Sequence, residues 1–280
     1  MGGRDSGGRG TGRPVPVNLA HAIEAALGKA VIGIRQLPGG DLGGAAHVTM
    51  ADGSAVIAKT GHLVTREGEM LRAIADTGAP APGIFHCEGQ LLVMELVEAD
   101  GRAGWARMAS ALHLLHSPQS RNYGWHTDYA FGSVVIPNTP LANWPQFWAE
   151  RRILPFSNLV DTALARRLDA VAVRLPDLLP PAPPAALLHG DLWSGNVLFH
   201  RGSLAALIDP ACYYGDREVD FAMLQVFGSP PDAFFADSDL SPGWRARVPI
   251  YQLWPMLVHL RLFGDGYRGR VESLLRECGA

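Results

Sequence analysis

The stretch LLHGDLWSGNVLFHRGSLAALIDP, residues 187–210, constrains this chain more than any other. It carries Asp191, then Asn196 five residues on, then Asp209 thirteen beyond that. An apolar run from Leu204 to Ile208 leads into Asp209 and reads as a strand. A fold that uses all three residues must bring a loop and a strand end together. One carboxylate can then accept a proton while the carboxamide and the second carboxylate hold a divalent cation. The plainer reading is a turn capped by Asp and Asn in a non-catalytic domain.

The same spacing occurs in protein kinases, where a catalytic-loop Asp and Asn precede a metal-binding Asp. On that pattern Asp191 orients a substrate hydroxyl and takes its proton, and Asn196 and Asp209 hold Mg²⁺ against the phosphates of ATP. His189 reads as a packing and hydrogen-bonding residue that shapes the loop. Asp220 is expected to bond the backbone of the catalytic loop.

The balance of the sequence agrees with a globular enzyme. Its 280 residues are 48% hydrophobic and 18% charged, with a net charge of −3. No basic surface is implied, which argues against nucleic acid as a partner. Cys87, Cys212 and Cys278 lie far apart without metal-ligand spacing, which suits a reducing cytoplasm. No apolar run is long enough to span a membrane, and a monomer is the expected state. Residues 1–15, rich in Gly and Arg, read as a disordered extension and not as a signal peptide.

A helix is expected over 18–27, capped by Asn18 and closed by Gly28. Strands follow over 31–59, with Asp52-Gly53 as a two-residue hairpin turn. A helix over 65–76 stops before Gly78, and 91–97 reads as a buried strand. Beyond Gly101 the chain reads as mostly helical, over 104–116, 142–153, 158–174, 217–227 and 247–263. This predicts an α+β, protein-kinase-like bilobal fold, with a nucleotide-binding lobe over 16–97 and a catalytic and substrate-binding lobe over 98–280. The alternative is a single α+β domain with no cleft.

Gly39, Gly40, Gly43 and Gly44 lie between two expected strands, where backbone N–H groups can approach phosphates. Lys59 ends the next strand and is expected to pair with the phosphates and with a helix carboxylate. Glu67 and Glu69 are the candidates. They stand about 200° apart on a helix, and Glu67 shares a side with Leu71, so Glu67 is chosen. Met94, Glu95 and Leu96 close the buried strand at a hinge that can hydrogen-bond adenine.

Taken together, these tracts resemble the fructosamine kinase (ketosamine-3-kinase) family, on the protein-kinase-like fold shared with aminoglycoside phosphotransferases. The resemblance covers about Gly39 to Tyr267. It is carried by HGDLWSGN with Trp193, by IDPACYYGDREVDFAM (Ile208 to Met223), by YGW and DYAFG (Tyr123 to Gly132), and by Asn138. WPQFWAERRI (Trp144 to Ile153), VFG (Val226 to Gly228) and YQLWPMLVHLRLFGDGY (Tyr251 to Tyr267) complete it. It implies ATP-dependent phosphorylation of the 3-hydroxyl of ketosamines such as ribulosamine, erythrulosamine or fructosamine, in deglycation. It also implies that Trp193, Asp216 and Glu218 lie near the sugar or brace the loop. Tyr214, after the metal Asp, is a further candidate for the sugar pocket. The Gly-rich turn departs from the family form, with Asp41 bringing a negative charge near a polyanion.

The other tryptophans read as core. Arg151 and Arg152 read as stabilising a helix C-terminus or pairing with acids. Two other classes stay open. One is a kinase of aminoglycoside, choline or homoserine type. The other is a pseudokinase acting as a nucleotide-binding module.

Overall fold

The computed structural model describes residues 19–37 and 44–280. The expectations for residues 1–15, Asn18, Gly39, Gly40, Asp41 and Gly43 lie outside the described residues. Helix α1 (Leu19–Leu27) precedes five strands: β1 (Val31–Gln36), β2 (Ala45–Met50), β3 (Ala55–Thr60), β4 (Ile84–Glu88) and β5 (Leu91–Glu95). They form one antiparallel sheet in the order β1-β2-β3-β5-β4. Helix α2 (Val64–Asp76) lies between β3 and β4 in the chain.

Alternation along β3 sets up the site. Val56 and Ala58 pack with Leu19, Ile23 and Val48 on the α1 side. Ile57 packs with Val64 and Leu71 of α2 on the other side. The same parity places Lys59 on the α2 side, where it is buried. Met70 and Ile74 of α2 join a different core, with Met108, Leu112 and Leu207 of the second lobe. Helix α2 is thereby clamped between the sheet and the C-terminal lobe.

The β2–β3 connection differs from the expected two-residue turn. Met50 N donates to Ser54 O, and Gly53 N donates back to Met50 O, so three residues make the loop. Asp52 accepts from Ser54 N and Oγ, and Gly53 takes φ +83°, the left-handed residue that closes such loops.

The C-terminal lobe contains α3 (Trp105–Leu115), the hairpin β6 (Tyr129–Phe131) and β7 (Val134–Ile136), α4 (Trp144–Trp148), α5 (Leu154–Ser157) and α6 (Thr162–Leu178). Next come β8 (Ala186–Leu188), β9 (Val197–His200), β10 (Ser203–Leu207), β11 (Tyr213–Gly215) and α7 (Glu218–Leu224). Helices α8 (Asp232–Ala236), α9 (Trp244–Phe263) and α10 (Arg268–Glu277) follow. The lobe is less purely helical than expected. Strands β9 and β10 pair, as do β8 and β11, and β6 and β7. Apart from the run into Asp209, these pieces are too short for alternation to show in the sequence.

The helix expected over 142–153 is α4 followed by a π turn, Ala149–Ile153. The helix expected over 158–174 runs later, because Asp161 caps it by accepting from Ala163 N and Leu164 N. Arg151 meets Glu150 at 3.2 Å as expected, but Arg152 does not pair with an acid. It lies in the π turn, wholly buried, and donates to Pro137 O and Asn138 Oδ1 at 2.6 and 2.7 Å. Its guanidinium stands 4.1 Å from the Tyr213 ring centroid, 4.8 Å from Trp254 and 4.9 Å from Phe147. Ring faces and carbonyls there replace the expected carboxylate. Among the described residues no helix is long and apolar enough to cross a membrane.

Candidate active site

Lys59 joins the two lobes. Its Nζ donates to Glu67 Oε1 at 2.5 Å and also to Asp209 Oδ1. Burial works against the ammonium, but Glu67 and then Asp209 outweigh it, and its pKa is raised. Glu67 is raised too: burial exceeds the pull of Lys59, and Asp209 adds to it. Glu69, on another side of α2, meets His126 at 2.9 Å. Asp209 follows β10 at φ +55°, a strained value for a non-glycine residue, and its carboxylate is 39% exposed.

The loop between β8 and β9 is held from below by Asp220 of α7, as expected. Asp220 accepts from His189 N at 2.8 Å and Gly190 N at 3.0 Å. His189 Nε2 donates to Ile208 O, and its Nδ1 accepts from Asp191 N. That tautomer is neutral, and burial pushes the His189 pKa down. Ile208 N donates to Asn196 O, so the loop is bonded to the strand end that carries Asp209. Asn196 Nδ2 donates to Asp191 O at 2.9 Å and to Asp191 Oδ2 at 3.0 Å. Burial pushes the Asp191 carboxyl up to about 7; the Asn196 bond opposes this, while Asp209 and Asp220 add to it.

This donor set suits Mg²⁺. With Nδ2 committed to Asp191, Asn196 keeps Oδ1 as an oxygen donor, and Asp209 supplies a partly open carboxylate. Mg²⁺ typically takes one or two protein oxygens beside phosphate and water. Among the described residues there is no group of three or more His, Cys, Asp or Glu that could form a closed metal site.

The remaining expected residues separate into two groups. Trp193 stays with the loop, its ring against Gly195 and 5.9 Å from Phe227. A Cβ on Gly195 would fall 2.3 Å from that ring, so a larger residue at 195 would have to push the Trp193 ring aside. Met94 is buried on β5. Glu95 N donates to Gly83 O, and Glu95 Oε2 accepts from Gly83 N. Leu96 is 38% exposed just past the strand, and Gly44 is exposed before β2. Tyr214 makes its ring contacts with Trp125 and Arg121 and not with the catalytic loop. Asp216 accepts from Tyr251 OH at 2.7 Å and from Glu218 N. Glu218 takes both Nε and Nη2 of Arg247, each at 2.6 Å. Both acids are buried and join α7 to α9.

Three participants were not legible beforehand. His116, at the end of α3, is buried and bonds Asp220 at 2.9 Å, 104 residues away in the chain. Arg66 donates to Asp128 O, tying α2 to the segment that leads into β6. Tyr129, the next residue, has its hydroxyl pKa raised, first by burial and then by the charges of Glu67, Asp209 and Asp191. No spacing rule links these partners. The DYAFG tract was the only signal for Tyr129.

Known proteins resemble this chain in sequence and fold. The fructosamine kinase family profile matches residues 18–280. A Synechocystis protein named "Probable ketoamine kinase" is 38% identical over 203 residues, covering 67% of each chain. The protein-ribulosamine 3-kinase of Oryza sativa subsp. japonica is 29% identical over 268 residues, 88% of this chain and 78% of that one. A Thermobifida fusca crystal structure assigned to fructosamine-3-kinase superposes with a TM-score of 0.84 at 30% identity, covering 93% of this chain and 98% of that one. An aminoglycoside phosphotransferase in complex with AMP-PNP and hygromycin B, 16% identical with a TM-score of 0.65 over 94% and 97% of the two chains, shares the protein-kinase-like fold. The profile match over nearly the whole chain, with these relatives, establishes that the chain belongs to the fructosamine kinase family.

Proposed function

We propose that this ATP-dependent phosphotransferase transfers the γ-phosphate of ATP to the 3-hydroxyl of a ketosamine, with Asp191 as the base. The observation that carries the reading is one connected cluster. Lys59, Glu67 and Asp209 meet on one side. Asp191 and Asn196 meet on the other, and the Ile208–Asn196 backbone bond joins the two sides.

In this reading Lys59 releases Asp209 and takes the ATP phosphates, while Glu67 keeps the ammonium in place. Asn196 and Asp209 hold Mg²⁺, which supplies neutralisation of the phosphate charge. Asp191 orients the acceptor hydroxyl and receives its proton. Gly44 lies over the phosphates, and the backbone around Glu95 and Leu96 holds adenine beside Met94. Trp193 forms a wall of the sugar site. Asp216 and Glu218 brace α7 against α9, because their oxygens are already bonded there. Tyr214 belongs to the supporting wall. The named relatives, ketoamine and ribulosamine kinases, favour a ketosamine acceptor over a cationic metabolite.

The test is ATP turnover with Mg²⁺ on ribulosamine, erythrulosamine and fructosamine derivatives, alongside choline, homoserine and an aminoglycoside. Phosphorylation confined to ketosamines is expected. Asp191→Asn should lower it by about 10²–10⁴ with ATP still bound. Turnover of a cationic metabolite instead, or near-normal turnover by Asp191→Asn, rejects the assignment.

A further inference from the structure

A line of rings leads from the catalytic loop onto α9 and the turn after it, elements that carry none of the residues on the nucleotide side. Trp193 meets Phe227 at 5.9 Å, and Phe227 meets His259 at 5.1 Å. His259 meets Phe263 at 5.5 Å and Tyr267 at 5.0 Å. Phe227 and Phe263 are 41% and 46% exposed. At the start of the line Trp193 lies against Gly195, and Ser194 Oγ reaches Phe227 O at 3.5 Å.

The chemistry of the acceptor indicates what this strip meets. A ketosamine whose 3-hydroxyl sits at Asp191 carries its amine on the carbon two along the chain. The substituent on that nitrogen must therefore leave close to the catalytic loop. Lys59 and Asp209 mark the nucleotide side, and Trp193 begins the other side. The amine is a cation at neutral pH, and aromatic ring faces attract cations. A lysine side chain spans about 6 Å, roughly one ring-to-ring step. Rings beyond Phe227 lie past that reach, where the main chain and neighbouring residues of a polypeptide would run.

We propose that the strip Phe227, His259, Phe263 and Tyr267 docks the polypeptide around a glycated lysine and selects apolar or aromatic residues beside it. This rests on the ketosamine reading above. It goes further by naming the side chains that meet the residues beside the modified lysine.

The experiment compares three acceptors bearing the same ribulosamine: a peptide with Phe and Leu flanking the modified lysine, a matched peptide with Ser and Gly, and the capped single amino acid. The apolar peptide should have a kcat/KM about tenfold above the Ser/Gly peptide, the gain from covering one of its two apolar side chains. That ratio should fall toward one in Phe227→Ser and, separately, in Phe263→Ser, with the fold of each variant checked by its melting temperature. Equal use of the two peptides, or a preference that survives both substitutions, overturns the strip while leaving the ketosamine reading intact. Failure to phosphorylate any of the three, with ATP bound, overturns both.

Discussion

Lys59 and Arg152 are both buried cations, 8% and 0% exposed, yet the molecule holds them in different ways. Lys59 sits where the two lobes meet, against Glu67 and Asp209. Burial raises the Glu67 pKa, so Glu67 can take up a proton, and Asp209 can give way to a phosphate. Arg152 sits inside the C-terminal lobe against Pro137 O, Asn138 Oδ1 and three aromatic rings. None of those can be exchanged without opening the core. Burial lowers the Arg152 pKa despite the opposing influence of Tyr213, whereas at Lys59 the carboxylates prevail over burial. A cation among groups that can titrate or be displaced suits an active site. One among fixed dipoles and ring faces suits a scaffold.

The sharpest test of that contrast is Lys59→Met. It removes one phosphate donor, and turnover should fall by about 10²–10³. The melting temperature should change little, because Glu67 is already poised to take up a proton once its partner is lost. A large loss of stability with normal activity would place Lys59 with Arg152 and undo the distinction.

Arg152→Met should show the reverse. Removing the guanidinium leaves Pro137 O and Asn138 Oδ1 without a donor in the core, a cost of about 2–3 kcal/mol. For a chain of this size that lowers the melting temperature by roughly 5–10 °C. Turnover below the transition should stay within a few-fold of the parent. Loss of activity with an unchanged melting temperature would make Arg152 part of the site.

The same contrast explains what the sequence revealed. That Lys59 meets Asp209 and Asp191 meets Asn196 was legible because the proposed transfer chemistry sets their types and, for the last three, their spacing along one tract. Glu67 was legible because helix geometry separates it from Glu69. The ring cage around Arg152 was missed because it is assembled from Phe147, Tyr213 and Trp254, brought together only by folding. His116 and Arg66 were missed for the same reason, since their partners lie far along the chain. The short strands β8 and β11 were missed because three residues are too few to carry a readable period.

Asp216 is the mirror image of Arg152, a buried acid whose nearby cation, Arg247, is bonded to Glu218. Burial first, then the charge of Glu218, pushes its carboxyl up to about 6, opposed by bonds from Glu218 N and Tyr251 OH and by Arg247. Tyr123 and Tyr213 also lie within its field. The sign of the stability effect follows from the direction of the shift. In the unfolded chain an Asp ionises near 3.9, so between about pH 4 and pH 6 the folded state holds the extra proton. Stability from this group is complete below that window and is lost as pH rises through it, by about 1 kcal/mol per pH unit. Asp216→Asn keeps the shape and removes the titration. The difference in unfolding free energy between parent and variant should therefore slope across that window and flatten above it. A difference that is constant with pH would show that Asp216 enters the folded state already ionised, held by Tyr251 and Glu218 N as firmly as Arg152 is held by its carbonyls.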